Sequence, residues 1–570
     1  MILETEERIV VQQVDVGTAA RLLEDGAAVV DVREPEEFAT GHVPGAVNIP
    51  MGQVHRRLGE LDRSRRQLVV CRSGNRSGAI TDVLLAQGFD AVNVAGGTLA
   101  WAREGHPVEH PAVPDLTVRV IKTPSLGDRS YLVHDGRVAF VVDPQRDIDR
   151  VLDLLATEGV RLTHVFETHI HNDYVTGGFA LAAATGAAYL VNADDEVSFQ
   201  RTPIRDGDVV DVGERMRVRV LATPGHTFTH LSYALEDTAR AEPAVGVFTG
   251  GSLLYGATGR PDLLGPEHTH ALVRHQHASA HRLAEELPAS AEVFPTHGFG
   301  SFCSATQSDA SSSTIGRELT SNPVLTQDEE TYVRELLDGL AAYPAYYAHM
   351  APANAAGPGE PDLSLPERAD AVELRRRIEA GEWVVDLRHR TAFAAGHAPG
   401  TLNFGLDGPF STYLGWLVEW GASITLLGES TEQVAEAQRE LVRIGIDRPA
   451  AHATGGPEDW SDRPLGSFGT ATFADLAHVR HHREVVVLDV RRADEHAQAW
   501  IEGAVNIPIQ ELPRRVGEVP PGEVWVHCAG GYRASVAASF LAAAGRRLVA
   551  VDDSFDHAAG TGLELVGPEA

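Results

Sequence analysis

Three stretches of the chain repeat one pattern, and this repetition constrains the fold more than any other feature. Each stretch is an apolar run that ends in Asp-x-Arg and reaches a turn glycine fourteen residues after the Asp. In chain order, repeats 1, 2 and 3 contain Asp31 and Gly45, Asp386 and Gly400, and Asp489 and Gly503. Because the apolar runs alternate with helical stretches such as 80–87, each repeat is predicted to be a small α/β domain with a parallel sheet.

The chain is too long for a single domain. Its 570 residues correspond to three to five domains at about 100 to 200 residues each. A histidine-bearing segment separates repeat 1 from the other two, and a stretch rich in Pro, Gly and Ala at 351–366 is the predicted hinge behind it. The predicted domains are 1–110, 115–350, 367–464 and 465–570.

Composition excludes several classes of protein. With 48 Lys plus Arg against 80 Asp plus Glu, the net charge of −32 would repel a nucleic-acid backbone. The segment 1–12 carries acids where a signal peptide needs basic residues, and 174–193 is broken by glycines, which favours a helix and then a strand over a membrane span. We therefore expect a cytoplasmic protein that binds neither nucleic acid nor membrane.

Rare residue types narrow the chemistry. Lys122 is the only lysine, so an anionic substrate has to be held mainly by arginines. The three cysteines, Cys71, Cys303 and Cys528, lie far apart and are odd in number, which argues against a disulfide framework. Each cysteine therefore has to be judged as a reactive thiol.

Two repeats carry a cysteine in a strand-to-helix loop with the pattern C-x-x-G-x-R. Cys71 follows a predicted strand at 67–70, and Cys528 follows one at 524–526. Inward-pointing N–H groups in such a loop, together with the positive end of the next helix, stabilise a thiolate and a sulfur or oxyanion beside it. Cys71 and Cys528 are therefore predicted to be catalytic. The residues predicted to hold the sulfur or anion are Arg72, Gly74, Arg76, Gly531 and Arg533.

These loops resemble the rhodanese family of sulfurtransferases, whose loop cysteine carries a persulfide sulfur. Cysteine phosphatases have a similar loop but place their arginine one position later, so the spacing of five from Cys71 to Arg76 favours sulfur over phosphate. Repeat 2 has Gly428 at the roughly aligned position, with no cysteine and no following arginine, so it should carry no sulfur and serve as a spacer. The alternative for repeats 1 and 3 is a docking module with an incidental cysteine.

Histidines follow three apolar strands of the segment between repeats 1 and 2. One strand end leads to His169, His171 and Asp173, a second leads to His226, and a third leads to His297. Because strand ends converge on one rim of a sheet, a metal site is predicted there. Its ligands are predicted to be His169, His171 and His226, with Asp173 and His297 as further ligands or close neighbours.

Cys303 follows the last histidine cluster closely enough to line the same rim. It is predicted to receive or stabilise a sulfane sulfur near the metal, and in that role it counts as a third catalytic cysteine. The alternative is a small buried hydrophobe.

The histidine segment resembles the metallo-β-lactamase fold, and within it the glyoxalase II and persulfide dioxygenase branch, through T-H-x-H-x-D, T-P-G-H-T and the run 259–263. The domain order resembles persulfide dioxygenase–rhodanese fusions. This resemblance implies an α/β multidomain protein: an αββα sandwich plus three rhodanese-like α/β domains with parallel sheets. It also implies one Fe(II) in the metal domain, held by histidines and a carboxylate. The implied reactants are a low-molecular-weight persulfide and O₂, with sulfite or thiosulfate as products, and relatives with this metal domain often form homo-oligomers.

Two positions depart from the family pattern. Gly251 stands where the dioxygenase has its iron carboxylate, and Tyr174 stands where a two-metal hydrolase has a histidine. Three imidazoles binding the metal, Asp173 moving in, and a poorly binding site all remain open. The predicted function is a persulfide dioxygenase–sulfurtransferase of sulfide detoxification. The alternatives are a sulfurtransferase whose metal domain is a zinc thioester hydrolase, or one whose metal domain is a non-oxidative scaffold.

Overall fold

The computed structural model describes residues 13–39, 41–108, 116–238, 244–306, 308 and 310–567. The N-terminal segment 1–12, whose acidic residues predict the absence of a signal peptide, lies outside the described residues, as does the predicted boundary between 110 and 115. The chain divides into two compact units. The first unit comprises Met1–Ile170, Thr176–Leu340 and Asn354–Pro358, and the second comprises His171–Val175, Ala341–Ala353 and Gly359–Ala570.

Repeat 1 forms a five-stranded parallel sheet. Its elements are β1 (Gln13–Val14), α1 (Val16–Glu24), β2 (Ala28–Asp31), α2 (Pro35–Ala39), β3 (Val47–Asn48), α3 (Val54–Arg57), β4 (Gln67–Val70), α4 (Asn75–Ala86), β5 (Ala91–Val94) and α5 (Gly97–Arg103). The strand order is β1-β5-β4-β2-β3, and each pair is parallel. The apolar runs fill β2, β4 and β5 with buried side chains, as the sequence predicts for strands covered on both faces.

The histidine-bearing segment begins with a six-stranded mixed sheet, in the order β11-β10-β9-β8-β7-β6. Its elements are β6 (Thr117–Thr123), β7 (Asp128–His134), β8 (Val138–Val142), α6 (Asp149–Glu158), β9 (Arg161–Phe166), α7 (Gly178–Thr185), β10 (Ala188–Asn192) and β11 (Thr202–Ile204). Residues 174–193 thus contain the helix followed by a strand that their glycines predicted.

A second mixed sheet of five strands, in the order β12-β13-β14-β15-β16, faces the first. The elements of this part are β12 (Val209–Val212), β13 (Met216–Ala222), β14 (Leu231–Asp237), β15 (Ala244–Gly250), α8 (Pro266–Glu286), β16 (Glu292–Pro295), α9 (Ile315–Ser321), α10 (Pro323–Thr326) and α11 (Glu329–Asp338). One apolar cluster, including Phe140, Phe166 and Phe248, contains side chains from both sheets. Other clusters join α6 and α7 to the first sheet and α8 and α11 to the second, which gives the predicted αββα sandwich.

The elements that follow contain two further parallel sheets. They are α12 (Tyr347–Ala356), α13 (Ala371–Glu379), β17 (Trp383–Asp386), α14 (Arg390–Ala395), β18 (Leu402–Asn403), α15 (Phe410–Leu417), β19 (Ile424–Gly428), α16 (Thr431–Arg443), β20 (Ala451–Thr454), α17 (Pro457–Trp460), β21 (Gly469–Ala471), α18 (Phe473–His482), β22 (Val486–Asp489), α19 (Ala493–Gln498), β23 (Trp500–Ile501), β24 (Val505–Asn506), α20 (Leu512–Arg515), β25 (Val524–His527), α21 (Tyr532–Ala543), β26 (Leu548–Val551) and β27 (Leu565–Val566). Repeat 2 has the strand order β18-β17-β19-β20, and repeat 3 has β21-β26-β25-β22-β24. The strands β23 and β27 form a small antiparallel pair.

The Asp-x-Arg motif is a buried clasp in all three repeats. In repeat 1 the Arg33 guanidinium donates to the Asp31 carboxylate at 2.7 to 3.0 Å and to the Gly41 carbonyl at 2.7 Å. The Asn48 side chain donates to the backbone carbonyls of both clasp residues. The equivalent residues are Asp386, Arg388 and Asn403 in repeat 2, and Asp489, Arg491 and Asn506 in repeat 3. The motif therefore fixes the end of the strand to the turn that follows it.

Across the ranges that the structure describes, no helix is both long and apolar enough to cross a membrane.

Candidate functional site

Cys71 lies in the loop between β4 and α4, and its side chain is buried. Its Sγ accepts hydrogen bonds from the Gly74 N–H at 3.1 Å and from the Ser77 hydroxyl at 3.2 Å. Burial raises the pKa of the Cys71 thiol, but the hydrogen bonds from Ser77, with those from the backbone of Ser73 and Gly74, outweigh it and hold the pKa below its ordinary value. The loop therefore favours the thiolate, the form that reacts with sulfur.

Glycine is required at two places around this loop. Gly74 has φ +94°, in the left-handed region, which turns its N–H toward the sulfur. A side chain at Gly97 would place its Cβ 2.1 Å from the Cys71 carbonyl oxygen. That close approach lets the Thr98 N–H donate to the same carbonyl at 2.8 Å, so β4, the loop and α5 are fixed together.

The Cys528 loop has the same backbone geometry with one side chain changed. Gly531, at φ +93°, donates its N–H to the Cys528 Sγ at 3.1 Å. Six residues after the cysteine, where repeat 1 has Ser77, repeat 3 has Ala534. The Cys528 loop thus has no counterpart of the Ser77 hydroxyl bond at this position.

The two loop arginines are ion-paired. Arg76 donates to both carboxylate oxygens of Glu37 at 2.6 Å, and Arg533 does the same to Glu495 at 2.5 and 2.7 Å. The prediction that these arginines hold the sulfur therefore stays a prediction, whereas their contact with a glutamate is observed. Arg72 is exposed.

Neither glutamate was among the residues that the sequence pattern predicted for the site. A signal was available, because Glu37 and Glu495 both lie six residues after the clasp aspartate of their repeat. Repeat 2, which lacks the cysteine, has Ala392 at this position.

Repeat 2 does more than act as the expected spacer, since it covers the Cys528 loop. The Tyr532 hydroxyl donates to the Gly405 carbonyl at 3.0 Å, and the Ser535 hydroxyl donates to Asn403 at 2.8 Å. A Cβ on Gly408 would lie 2.3 Å from the Tyr532 ring, so the two repeats pack without space between them here. The cysteine-free repeat therefore helps to shape the surroundings of the last cysteine.

The first unit brings three predicted histidines together at the carboxyl ends of β9, β13 and β16. The ring centroid of His169 lies 4.8 Å from that of His226 and 5.7 Å from that of His297, and the latter two are 5.2 Å apart. All three side chains are buried.

Hydrogen bonds fix the tautomers of these rings. The His226 Nδ1 is 2.8 Å from the Arg260 carbonyl and the His297 Nδ1 is 3.0 Å from Asp128, and both oxygens can only accept. The His169 Nδ1 is 2.9 Å from the Thr168 hydroxyl, whose proton is already donated to Asp143. In each ring, therefore, Nδ1 carries the proton and Nε2 keeps the lone pair that a metal needs.

Cys303 joins this cluster. Its Sγ and one ring nitrogen from each of His226 and His297 lie within 4.8 Å of one another, and Cys303 is completely buried. Imidazole nitrogens with the correct tautomer and a neighbouring thiol form a donor set that fits a transition metal such as iron or zinc.

His171 and Asp173, the other two predicted ligands, are buried and belong to the segment His171–Val175, which groups with the second compact unit. Within that segment His171 Nε2 lies 3.0 Å from the Tyr174 hydroxyl, and the two rings are stacked. Their role as ligands stays a prediction.

The place of the missing family carboxylate is filled. A Cβ on Gly251 would lie 2.3 Å from Cδ2 of His226, so the imidazole rests directly on this glycine. The Gly251 N–H donates to Nε2 of His230 at 3.0 Å. His230 is another buried imidazole, and its ring stacks on that of His169 with the centroids 5.0 Å apart. It was not predicted as a site residue, although it ends the run T-P-G-H-T-F-T-H. Because its Nε2 accepts this bond, His230 supports the site rather than supplying a ligand.

Comparisons with known proteins identify two kinds of domain in the chain. The family model of the Rhodanese-like domain matches residues 15–104 and 472–557, and that of the Metallo-beta-lactamase superfamily matches 127–297. The chain is 38% identical over 104 residues to a sulfurtransferase of Allochromatium vinosum, covering 18% of this chain and 97% of that protein. It is 29% identical over 210 residues to the human mitochondrial persulfide dioxygenase ETHE1, covering 37% of this chain and 73% of that protein.

Among solved structures, a metallo-beta-lactamase from Staphylococcus aureus aligns with 60% of this chain and 99% of its own, at 27% identity and a TM-score of 0.54. The chain is thus a multidomain α/β protein with rhodanese-like domains at both ends and a metallo-beta-lactamase domain. It belongs to the persulfide dioxygenase–rhodanese fusion family.

Proposed function

We propose that this protein oxidises low-molecular-weight thiol persulfides to sulfite in its metal domain and transfers sulfane sulfur through Cys71 and Cys528. The observation that carries the proposal is the Cys71 sulfur, held by the Gly74 N–H and the Ser77 hydroxyl in a loop that lowers its pKa. The proposed setting is sulfide detoxification in the cytoplasm, and homo-oligomer formation stays a prediction.

Sulfur transfer needs only the groups seen in the loop. The cysteine thiolate attacks the sulfane sulfur of thiosulfate or a persulfide, the S–S bond breaks, and sulfite or the carrier thiolate leaves with the bonding electrons. An acceptor such as sulfite or cyanide then attacks the terminal sulfur of the cysteine persulfide, and the cysteine leaves as thiolate. Gly74 and Ser77 stabilise the same negative sulfur in both steps, as nucleophile and as leaving group.

In the metal domain, His169, His226 and His297 would hold one Fe(II), with zinc as the alternative metal, and Cys303 would add its thiol to this donor set. When bound, the metal supplies Lewis-acid binding of the persulfide sulfur and activation of O₂. Asp128 and the Arg260 carbonyl hold the His297 and His226 rings in the binding tautomer. Joining the two activities in one chain raises the effective concentration of sulfite near the rhodanese loops, where thiosulfate would form.

Thiosulfate:cyanide sulfurtransferase assays of cysteine variants test the sulfur-transfer half. We expect Cys71→Ser and Cys528→Ser each to remove part of the rate and the double variant to remove at least 99% of it, while Cys303→Ser leaves the rate unchanged. A double variant with full activity would refute the assignment. The oxidative half is tested by O₂ uptake and sulfite formation after anaerobic Fe(II) loading and addition of glutathione persulfide.

One observation favours a second candidate, a zinc thioester hydrolase or a non-oxidative metal domain. The His226 ring lies against Gly251, which leaves no room for a side chain there, and Cys303 adds a thiol; histidines with a thiol suit zinc. Metal analysis of the protein as purified separates the two candidates. Zinc, with no O₂ uptake after iron loading, would support the second candidate and leave sulfur transfer as the activity.

A further inference from the structure

Lys122 and Arg129 face each other across two antiparallel strands. They are direct partners in the β6–β7 ladder, and both side chains are half-buried. Like charges directly opposite one another destabilise a sheet. Placing the only lysine of the chain at this position is therefore unfavourable unless a negative group binds between the two cations.

Both side chains line a cavity of about 270 Å³ in the first unit. The Arg129 guanidinium carbon lies 4.9 Å from the ring centroid of Tyr255, which orients it. Its Nη1 is buried and has no hydrogen-bond partner among the described residues. Ser311, Ser312 and Arg317 provide further donors on the cavity wall, and Glu292 also lines it. Burial raises the pKa of this glutamate, so its negative charge is disfavoured.

Without a bound anion, the surroundings of Lys122 disfavour its positively charged form. Burial, together with the positive charges of Arg129, Arg33 and Arg72, lowers the pKa of Lys122 to about 7. A bound anion would restore the ammonium form, because an opposite charge nearby favours ionisation.

The same lysine reaches the Cys71 loop. A second cavity, of about 90 Å³, shares Lys122 and Ser311 with the first. It is also lined by Arg72, the residue directly after Cys71, and by the clasp arginine Arg33. Lys122 thus lies between the rhodanese loop of repeat 1 and the larger cavity in the metal domain.

We infer that Lys122 and Arg129 form a binding site for a small oxyanion that serves the Cys71 loop. The site would hold the sulfite or thiosulfate that leaves or enters sulfur transfer at Cys71, and in this respect it rests on the proposed function. The same donors would also bind a phosphate group, such as that of a phosphorylated carrier thiol. The oxyanion binds without any covalent step.

The single lysine makes a direct test possible. Reductive methylation of the full-length protein with ¹³C-formaldehyde labels one side-chain amine, Lys122, besides the N-terminus, and leaves this amine able to take up a proton. The methyl resonance is then followed while sulfite, thiosulfate or phosphate is added, with ionic strength held constant by chloride. We expect a saturable shift of the Lys122 resonance with sulfite or thiosulfate, and an apparent Kd about tenfold higher in Arg129→Gln, because one charged donor is lost.

Arg137→Gln is the matched control, since Arg137 is exposed in the turn between β7 and β8 and should leave the Kd unchanged. If Arg129→Gln does not fold, Arg317→Gln, on an exposed side chain of the same cavity, is expected to weaken binding as well. A shift that does not saturate, or that is the same in the cavity variants as in wild type, would overturn the site. A saturable response to phosphate alone would support an oxyanion site but overturn its assignment to sulfur anions.

The test also separates this site from the proposed function. If the Lys122 resonance of the wild-type protein showed no saturable shift while thiosulfate:cyanide transfer was normal, the oxyanion site would be refuted and the proposed sulfur transfer would stand. A normal shift in a protein without sulfur transfer would do the reverse. Cys71→Ser should keep the shift, because the site is built from residues of the metal domain.

Discussion

The carboxylate of Glu37 binds both terminal nitrogens of the Arg76 guanidinium, each at 2.6 Å. The pair joins α2 to the first turn of α4, the helix that follows the Cys71 loop. It recurs as Glu495 and Arg533 in repeat 3 and is missing, together with the cysteine, from the sequence of repeat 2. The ion pair is therefore found only in the two repeats that have the cysteine loop, whereas the Asp-x-Arg clasp is found in all three repeats.

Replacing Glu37 by Gln should weaken this support. In a Cys528→Ser background, so that only Cys71 transfers sulfur, we expect kcat/KM for thiosulfate to fall about tenfold, because a charge-assisted bidentate contact is lost. Glu60→Gln is the control, since Glu60 makes a similar contact with Arg57 on an exposed surface. An undiminished kcat/KM would show that Glu37 does not position the loop. A drop from misplacement should be partly reversed by Glu37→Asp.

Replacing Ser77 by Ala should raise the pKa of Cys71, because the thiolate loses a hydroxyl donor. A shift of about one pH unit corresponds to about 1.4 kcal/mol, in the range of one hydrogen bond to a charged group. Alkylation of Cys71 by iodoacetamide should then slow several-fold at pH values below its pKa. The matched change is Ala534→Ser in the Cys528 loop, which should speed alkylation of Cys528. Equal profiles for Ser77→Ala and wild type would contradict the role given to the hydroxyl.

Cys303 should bind the metal of the histidine cluster. Cobalt-loaded protein is expected to show the near-ultraviolet absorption of a thiolate-to-cobalt transition, and Cys303→Ser should abolish it. Since the chain has only three cysteines, the variant Cys71→Ser/Cys528→Ser keeps Cys303 alone and should retain the band. A band that survives in Cys303→Ser, or disappears in the double variant, would show that another thiol binds the cobalt.

Breaking the clasp of repeat 2 should destabilise this repeat without affecting sulfur transfer at Cys71. Arg388→Met leaves the buried Asp386 carboxylate without its cation, and removing one partner of a buried pair costs about 3–5 kcal/mol. Hydrogen-exchange protection of β17 amides should fall by this amount, while sulfur transfer through Cys71 stays constant. Arg376→Met, at an exposed ion pair, should change protection by less than about 1 kcal/mol. Full protection in Arg388→Met would refute the structural role of the motif.

Acid should destabilise repeat 3 through His527. Burial lowers the pKa of His527 to about 4. In the unfolded chain this histidine has a pKa near 6.5. Between pH 6.5 and 4 the unfolded chain therefore binds a proton that the folded chain does not bind. The free energy of unfolding then falls by about 3 kcal/mol as the pH is lowered through this window. Hydrogen exchange of β25 against pH measures the loss. His527→Phe should flatten the dependence, and the exposed His557→Gln should not.

Local patterns carried most of the fold. The runs ending at Asp31 and Asp489 form the predicted strands, because a short apolar run bounded by turn residues specifies a buried strand. The predicted helical stretch 80–87 likewise falls almost entirely within α4, and the chain leaves the helix through Gly88 at φ +81°.

Contacts between distant positions were out of reach of these patterns. Glu37 and Arg76 are 39 residues apart, and although both recur at matching positions in repeat 3, this recurrence does not show that the two side chains touch. The sequence at Gly251 showed that the carboxylate of the family pattern is missing, but only the structure shows that the His226 ring lies against this glycine. The pairing of Lys122 with Arg129 depends on strand register, which a one-residue slip would change completely.

Repeat 2 retains the complete clasp of Asp386, Arg388 and Asn403 but has neither the loop cysteine nor the glutamate–arginine pair. Repeat 2 therefore lacks the reactive residues of the other two repeats and still folds as a parallel sheet. The residues that hold the fold together and the residues of the cysteine loop are thus separate sets, so cysteine loops can be added to or removed from such a chain without changing its fold. A cysteine loop grafted after β19, with its glutamate at position 392, would be the shortest route to a third sulfur-transfer site.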